Sequence, residues 1–452
     1  MFRYLSLAAA AVLAIGQAAT AAAADRHVVV ITLDGFPAYY LNDPKVDLPV
    51  IRGLRDAGAS TEQGMIVSNP SVTWPNHTSL MSGVRPATHG VIYNGLPERQ
   101  GVGKPATVTP EKTQQELVHV PLIFDVLKKA GMTSAAINWP CTAGSKSIDD
   151  NFPDVPNAIK SHTTPRLKDE LKKAGLLEKF ATGGGAGRDE VWTEAACLAI
   201  KQRKPRLLAL HLLELDSSHH QNGPNTPQGR TVANRLDGLV GRVLKALDDA
   251  GIRDKTTVFV VADHGFIAVT KTINPNVALV KEGLIEVKDG KIVKARAHVI
   301  PEGGTGMVYL TDPATREQDR ATVRRLFEKA EGVTAVLDAS DFPGLGLPSP
   351  DKHPGMADMI IAVKDGYGVG GSFTGDQLIT ERRSQGGSHG YLSTEPKMNA
   401  LFVTAGAGIK PGSKLPKVEN VDVTATTAHL LGVKLDQADG RVLTEFLTND
   451  AK

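Results

Sequence analysis

Apolar residues come along this chain in short runs separated by amphipathic stretches, an alternation that predicts an α/β sheet protein. Residues 27–33 (HVVVITL) read as a buried strand that Asp34-Gly35 brings to an end. Helical spacing predicts helices over 47–58, 120–130, 189–204 and 229–250. Strands are predicted over 133–138, 206–213 and 256–261, with Pro205 breaking the helix before the second of these. Between about 270 and 385 the rhythm changes. Valine-rich, turn-rich pieces at 284–300 and 306–310 predict an antiparallel insertion with its own helix over 312–330. The α/β pattern resumes with a strand over 399–404 and a helix over 422–431.

Residues 1–24 are of another kind. Arg3 is their only charge, an apolar stretch follows, and an alanine-rich run ends at Ala24. A basic start, an apolar segment too short to span a bilayer and small residues at the end predict a cleaved signal peptide, hence a periplasmic or secreted protein. No later stretch is long and apolar enough to cross a membrane, so no stable membrane anchor is expected. Of the 452 residues 41% are hydrophobic, enough for a sizeable core. Fifty-one Lys and Arg against 49 Asp and Glu leave a net charge of +2, which argues against gripping nucleic acid as the main task. Two cysteines, Cys141 and Cys197, exclude a disulfide scaffold and a Cys-rich metal cluster, and leave open whether the two pair.

Candidate chemistry gathers after the predicted strands. Asp34, Asp216 and Asp263 each follow one within three residues, and open α/β sheets build their sites at those carboxyl ends. Asp216-Ser217-Ser218-His219-His220 places an imidazole four residues after one aspartate, and Asp263-His264 places one beside another. His389 lies in Gly386-Gly387-Ser388-His389-Gly390, where glycines allow a close approach of backbone. Three Asp and three His suit two mixed nitrogen/oxygen metal sites of the catalytic zinc type. Thr73, two residues before Pro75, is expected at or just before a helix N-terminus, where helix polarity favours a phosphate; the plainer role there is a helix cap.

Asp34, Thr73-Trp74-Pro75-Asn76-His77, the segment 89–94, Trp139-Pro140, the segment 216–220, Asp263-His264-Gly265 and Ser388-His389-Gly390 together resemble the nucleotide pyrophosphatase/phosphodiesterase family of the alkaline phosphatase superfamily. The resemblance runs in order from Asp34 to His389. It implies a mostly parallel central sheet flanked by helices, formed by 25–269 and 386–452, with a smaller α+β capping insertion at 270–385. It implies two Zn²⁺ per chain, one held by Asp216, His220 and His389, the other by Asp34, Asp263, His264 and the Thr73 hydroxyl. Thr73 would be the nucleophile and Asn94, 21 residues on, a donor to a phosphoryl oxygen. Trp74 stands where family members carry Phe or Tyr, and is expected to wall a site for a base or aryl leaving group; the plainer alternative is packing against its own helix. Three further positions depart from the family pattern: Leu215 replaces the proline before Asp216; His219 replaces a glycine, and would crowd the rim or donate behind a ligand; Cys141 replaces the glycine after Trp139-Pro140.

The expected protein is an exported two-zinc phosphodiesterase acting through a phosphothreonine on small phosphate diesters of nucleotide or glycerophosphodiester type, not on nucleic acid by sequence. The alternatives are a monoesterase or phosphonate hydrolase of the same superfamily, or a metal-stabilised binding protein without catalysis. Residues 134–141 (SAAINWPC) hold none of the cations with which related threonine-nucleophile monoesterases meet the extra charge, which favours diesters. His77 is expected to hydrogen-bond within its helix and His89 to order the loop before Asn94. His27, His119, His162, His211, His298, His353 and His429 show no ligand-like neighbours in sequence.

Overall fold

The computed structural model describes residues 25–451; the predicted signal peptide, 1–24, lies outside them. Eight strands form the main sheet: β1 (His27–Leu33), β2 (Ala59–Thr61), β3 (Ser134–Trp139), β4 (Asp150–Pro153), β5 (Leu207–Leu212), β6 (Thr256–Val261), β7 (Phe402–Gly406) and β8 (Ser413–Leu415). Their spatial order is β8-β2-β7-β6-β1-β5-β3-β4. β7 alone runs against the others. β1 lies between β6 and β5, pairing Val30 with Phe259 on one side and with Ala209 on the other. All seven of its residues are buried, which is why it reads as an unbroken apolar run rather than an alternating one.

Five helices carry or back the strand ends: α1 (Thr73–Ser82), α2 (Gly184–Arg203), α3 (Glu214–Asn222), α4 (Pro227–Asp249) and α5 (Val421–Leu430). α2 packs on β5, β3 and α4, while α5 packs on α1. α4 begins sharply because Thr226 accepts from Gly229 N–H at 3.2 Å and Pro227 needs no hydrogen-bond acceptor. Its Asp237 carboxylate in turn accepts from the N–H groups of Val50 (3.0 Å) and Ile51 (2.7 Å), opening the helix Pro49–Ala57. The alternating pattern of the sequence does not reveal β2, β4 and β8, which are three or four residues long.

The region 270–385 is mostly antiparallel; the exception is Gly366–Val369, which pairs in parallel with Ile267–Ile273. Strand Ile267–Ile273 leads the chain into it and Ile379–Ser388 leads it back, paired antiparallel with Ile267 opposite Ser388. Between them lies a four-stranded antiparallel sheet in the order Ala297–Pro301, Thr305–Leu310, Met359–Val363, Val333–Asp338. Its helix, Arg316–Phe327, is shorter than the predicted 312–330, because Asp312 closes a turn onto Ala314 N–H before the helix begins. Met307, Tyr309, Phe342 and Met356 give this part an apolar cluster separate from the main core. Cys141 and Cys197 are both buried free thiols.

Candidate metal centre

Parallel strands β6, β1 and β5 end at the same level, and the turns after them carry the carboxylates. Asp34 follows β1 directly, Asp263 lies two residues past β6, and Asp216 and His220 sit one turn apart on α3 beyond β5. His264 and His389 come from opposite arms of the pairing that sets Ile267 against Ser388, and their rings stack at 3.8 Å with 9° between planes. Glycines make this approach possible. A Cβ on Gly387 would meet the His219 carbonyl at 2.7 Å, and one on Gly390 (φ +77°) would run into the Glu302 carbonyl.

Each carboxylate is held by one oxygen or turned toward a histidine, and one oxygen of each is free. Asp34 Oδ2 faces His211 Nε2 at 3.0 Å, leaving Oδ1 3.3 Å from His264 Nε2. Asp263 Oδ1 accepts from the N–H groups of Gly35 (3.1 Å) and His264 (3.0 Å), leaving Oδ2 3.4 Å from His264 Nε2. Asp216 Oδ1 lies 3.4 Å from His220 Nε2 and 3.6 Å from His389 Nε2. The three imidazoles follow one rule: Nδ1 of His264, His220 and His389 faces the carbonyl of Gly265 (3.1 Å), Gly387 (3.2 Å) and Ser71 (3.0 Å) respectively. With that nitrogen donating, Nε2 carries the lone pair, the tautomer that ligates a metal.

Asp34 Oδ1, Asp216 Oδ1, Asp263 Oδ2 and His264 Nε2 are buried and have no hydrogen-bond partner. Buried polar atoms are rarely left so, and four that converge call for a cation. Two sets have ligand atoms all within 4.8 Å of one another: Asp216, His264 and His389, and Asp34, Asp263 and His264. His220 falls outside both sets, although its Nε2 is beside Asp216. Burial, then the charges of Asp263 and Asp216, raise the Asp34 pKa well above the usual carboxylate range, and burial raises that of Asp263. Burial pushes His264 down to about 3, and burial together with His264 holds His389 well below its ordinary value. The cluster therefore resists crowded negative charge while keeping His264 and His389 neutral, and a divalent ion would offset the first and use the second as ligands. The nitrogen/oxygen donor set, without thiolate, fits zinc of the catalytic kind.

Thr73 is the first residue of α1 and Val72 the residue before it, so Thr73 is not the cap. Its flanks touch the cluster on both sides. Ser71 offers its carbonyl to His389, and His77, one turn on, has Nδ1 2.9 Å from the Thr73 carbonyl and 3.6 Å from Asp263 Oδ2. His77 Nε2 meets the Thr32 hydroxyl of β1 at 2.8 Å, so only its Nδ1 bonds within the helix as expected and its other nitrogen ties the helix to the sheet. The helix mouth is less open than the sequence implies: Asn94 Oδ1 takes the Trp74 N–H at 2.8 Å, and Pro75 has none. That bond leaves the Asn94 amide N–H groups to donate elsewhere. Asn94 lines two cavities, one of about 730 Å³ bordered by Trp74, Phe152, Asp154, Phe180 and Trp192, the other of about 190 Å³ bordered by His220, His389 and Glu302. Trp74 is only 6% exposed, and its indole N–H donates to Asp154 at 3.2 Å.

Three histidines outside the predicted ligand set support the site from behind. His89 orders its loop, with Nδ1 accepting from Val91 N–H at 3.1 Å. His219 does not crowd the rim: it is fully buried, between the Tyr40 hydroxyl (3.0 Å) and the Gly35 carbonyl (3.2 Å) behind the cluster. His211, which has no ligand-like neighbour in sequence, is the group that orients Asp34. It sits mid-strand without a motif, and only the pairing of Thr32 with His211 across β1 and β5 carries the signal.

A fold of this topology, with its site at the strand ends, is that of the alkaline phosphatase-like enzymes. The family model described as type I phosphodiesterase / nucleotide pyrophosphatase matches residues 28–392, and the chain belongs to that family, in the alkaline phosphatase superfamily. It is 25% identical over 414 residues to Homo sapiens ectonucleotide pyrophosphatase/phosphodiesterase family member 1, across 90% of this chain and 40% of that one. It is 22% identical over 420 residues to a Mus musculus bis(5'-adenosyl)-triphosphatase, across 90% of this chain and 78% of that one. The structure of murine ectonucleotide pyrophosphatase/phosphodiesterase 5 superposes with a TM-score of 0.69 at 17% identity, covering 94% of this chain and 100% of that chain. This chain spans about 40% of the length of the first mammalian relatives it matches. No helix among the described residues is long and apolar enough to cross a membrane.

Proposed function

We propose that this protein is an exported, zinc-dependent phosphodiesterase that hydrolyses small nucleotide-type diesters through a phosphothreonine at Thr73. The observation that carries the reading is the convergence of four partnerless buried ligand atoms beside the start of α1. In this reading Asp216, His220 and His389 hold one zinc, and Asp34, Asp263, His264 and Thr73 hold the other. When bound, the metals would supply positive charge to activate the hydroxyl and to stabilise the departing oxygen.

The protein's own groups do the rest. Thr73 Oγ1 attacks phosphorus, forming a P–O bond to the threonine as the bond to the leaving alcohol or phosphate breaks. Water then cleaves the phosphothreonine, restoring the hydroxyl and releasing a phosphate monoester. Asn94, fixed by the Trp74 N–H, donates to a phosphoryl oxygen in both steps. His211 and the N–H groups of Gly35 and His264 keep Asp34 and Asp263 in place. The 730 Å³ aromatic cavity takes the retained nucleoside, and the region 270–385 serves as a cap, its Pro301–Gly303 segment bordering the smaller cavity. Residues 1–24 act as the leader that takes the chain out of the cytoplasm. The names of the relatives agree with nucleotide diesters as substrates.

The test is turnover of p-nitrophenyl thymidine monophosphate against p-nitrophenyl phosphate. The diester is expected to win in kcat/KM by more than ~10²-fold, about 2.7 kcal/mol of differential transition-state binding. A ratio at or below one moves the protein to the monoesterase reading.

A further inference from the structure

Asp154 is the one acidic side chain among the described residues that line the large cavity, and the phosphoryl-transfer steps leave it unused. Its Oδ2 accepts the Trp74 indole N–H at 3.2 Å. No described residue donates to its other oxygen. Unlike the orphaned oxygens of the metal cluster, that oxygen is not sealed from the cavity. An indole N–H lies in the ring plane at its edge, so the carboxylate stands at the edge of the Trp74 ring. Trp74 and Asp154 line the same cavity, so a planar ring stacked on the indole there would turn its edge toward this carboxylate. The same cavity is lined by Phe152 and Phe180, whose ring centroids are 5.2 Å apart, and by Trp192, 5.5 Å from Phe180. The Arg188 guanidinium lies 5.5 Å over the Phe180 ring.

We propose that Asp154 reads the edge of the base: its free carboxylate oxygen accepts a hydrogen bond from a ring amino group, favouring adenine and cytosine nucleotides over uracil nucleotides. This rests on the nucleotide phosphodiesterase reading. The chemistry is that of an acceptor-only group. An ionised carboxylate receives an amino N–H but meets the uracil O4 carbonyl with two opposed lone pairs. Burial pushes the Asp154 pKa up to about 6 against the lowering effect of the indole bond, so the group is mostly ionised above neutral pH.

Asp154→Asn turns this into a test that a merely structural role would not pass. The indole N–H needs an acceptor, so the asparagine carbonyl takes it and the amide NH2 falls where the free oxygen was. The cavity then offers a donor, which suits uracil O4 and repels an amino group. ATP and UTP compete in one reaction, and the ratio of their kcat/KM values is read for the native chain, Asp154→Asn and Asp154→Ala. A ratio cancels any difference in folded fraction. The native chain should favour ATP by ~10-fold or more, the scale of one hydrogen bond. Asp154→Asn should favour UTP, and Asp154→Ala should lie near one. Equal ratios in the native chain and Asp154→Asn overturn the role of Asp154 while leaving the phosphodiesterase intact. Failure of the native chain to turn over either nucleotide overturns both readings.

Discussion

Thr73 stands between two residues that already touch the cluster, Ser71 through His389 and His77 through Asp263. Thr73→Ala removes the attacking atom rather than a binding contact, and is expected to lose at least ~10³-fold in kcat. Asn94→Ala removes one donor and should cost roughly 10²-fold. Steady-state kinetics on a chromogenic diester and mass spectrometry of a trapped Thr73 phosphopeptide check the pair; near-normal turnover by Thr73→Ala would refute the assignment. His211 gives a subtler case. His211→Ala frees Asp34 Oδ2 without removing a ligand, so zinc affinity should fall ~10- to 100-fold in a chelator competition. An unchanged affinity would mean that β1 alone positions Asp34. Sequence makes the ligand candidates visible because Asp-His pairs, Thr-x-Pro and the Gly-flanked His389 are local patterns. It hides His211 and Asp154, whose contacts come from a cross-strand neighbour and from a side chain 80 residues away.

Among the elements, the central strands are the most legible, while the pattern does not predict α3, which carries Asp216 and His220. The predicted strands over 27–33 and 256–261 coincide with β1 and β6, because a buried parallel strand is a continuous apolar run. The short strands β2 and β8 and the polar start of β4 (Asp150-Asn151) give no such run and become strands only by pairing with neighbours. The glycines around His389 predict a close approach of backbone, and the approach is the one between α3 and the returning strand Ile379–Ser388. Gly390→Ala places a side chain at φ +77° and against the Glu302 carbonyl. It is expected to destabilise the fold by more than ~1 kcal/mol and to displace His389 from Asp216. Thermal unfolding and zinc content should fall together, and a variant with native values for both would show that this loop is looser than the packing indicates.

At the scale of the whole molecule, metal, protons and stability are linked through the buried carboxylates. Asp34 and Asp263 have pKa values raised by burial, so the metal-free fold favours their protonated forms. That contribution is fully present below the unfolded-state pKa of 3.8 and is lost as pH rises through the folded-state values. Bound zinc needs both groups ionised, so its stabilisation must run the other way. The rise in Tm on adding zinc should therefore grow between about pH 5 and 8, and activity should be best at neutral to alkaline pH. His264, already held neutral down to about 3, is not the group that limits metal binding in acid. An increment in Tm that shrinks as pH rises would contradict the linkage.

The most direct measurement is a titration of metal-free protein with Zn²⁺, following hydrolysis of p-nitrophenyl thymidine monophosphate and bound metal in the same samples. Activity should be absent at the start and saturate at about two zinc ions per chain, with Mg²⁺ and Ca²⁺ restoring less. Full turnover in the presence of a strong chelator, or saturation of two zinc sites with no hydrolysis of the diester, would contradict a two-metal phosphodiesterase.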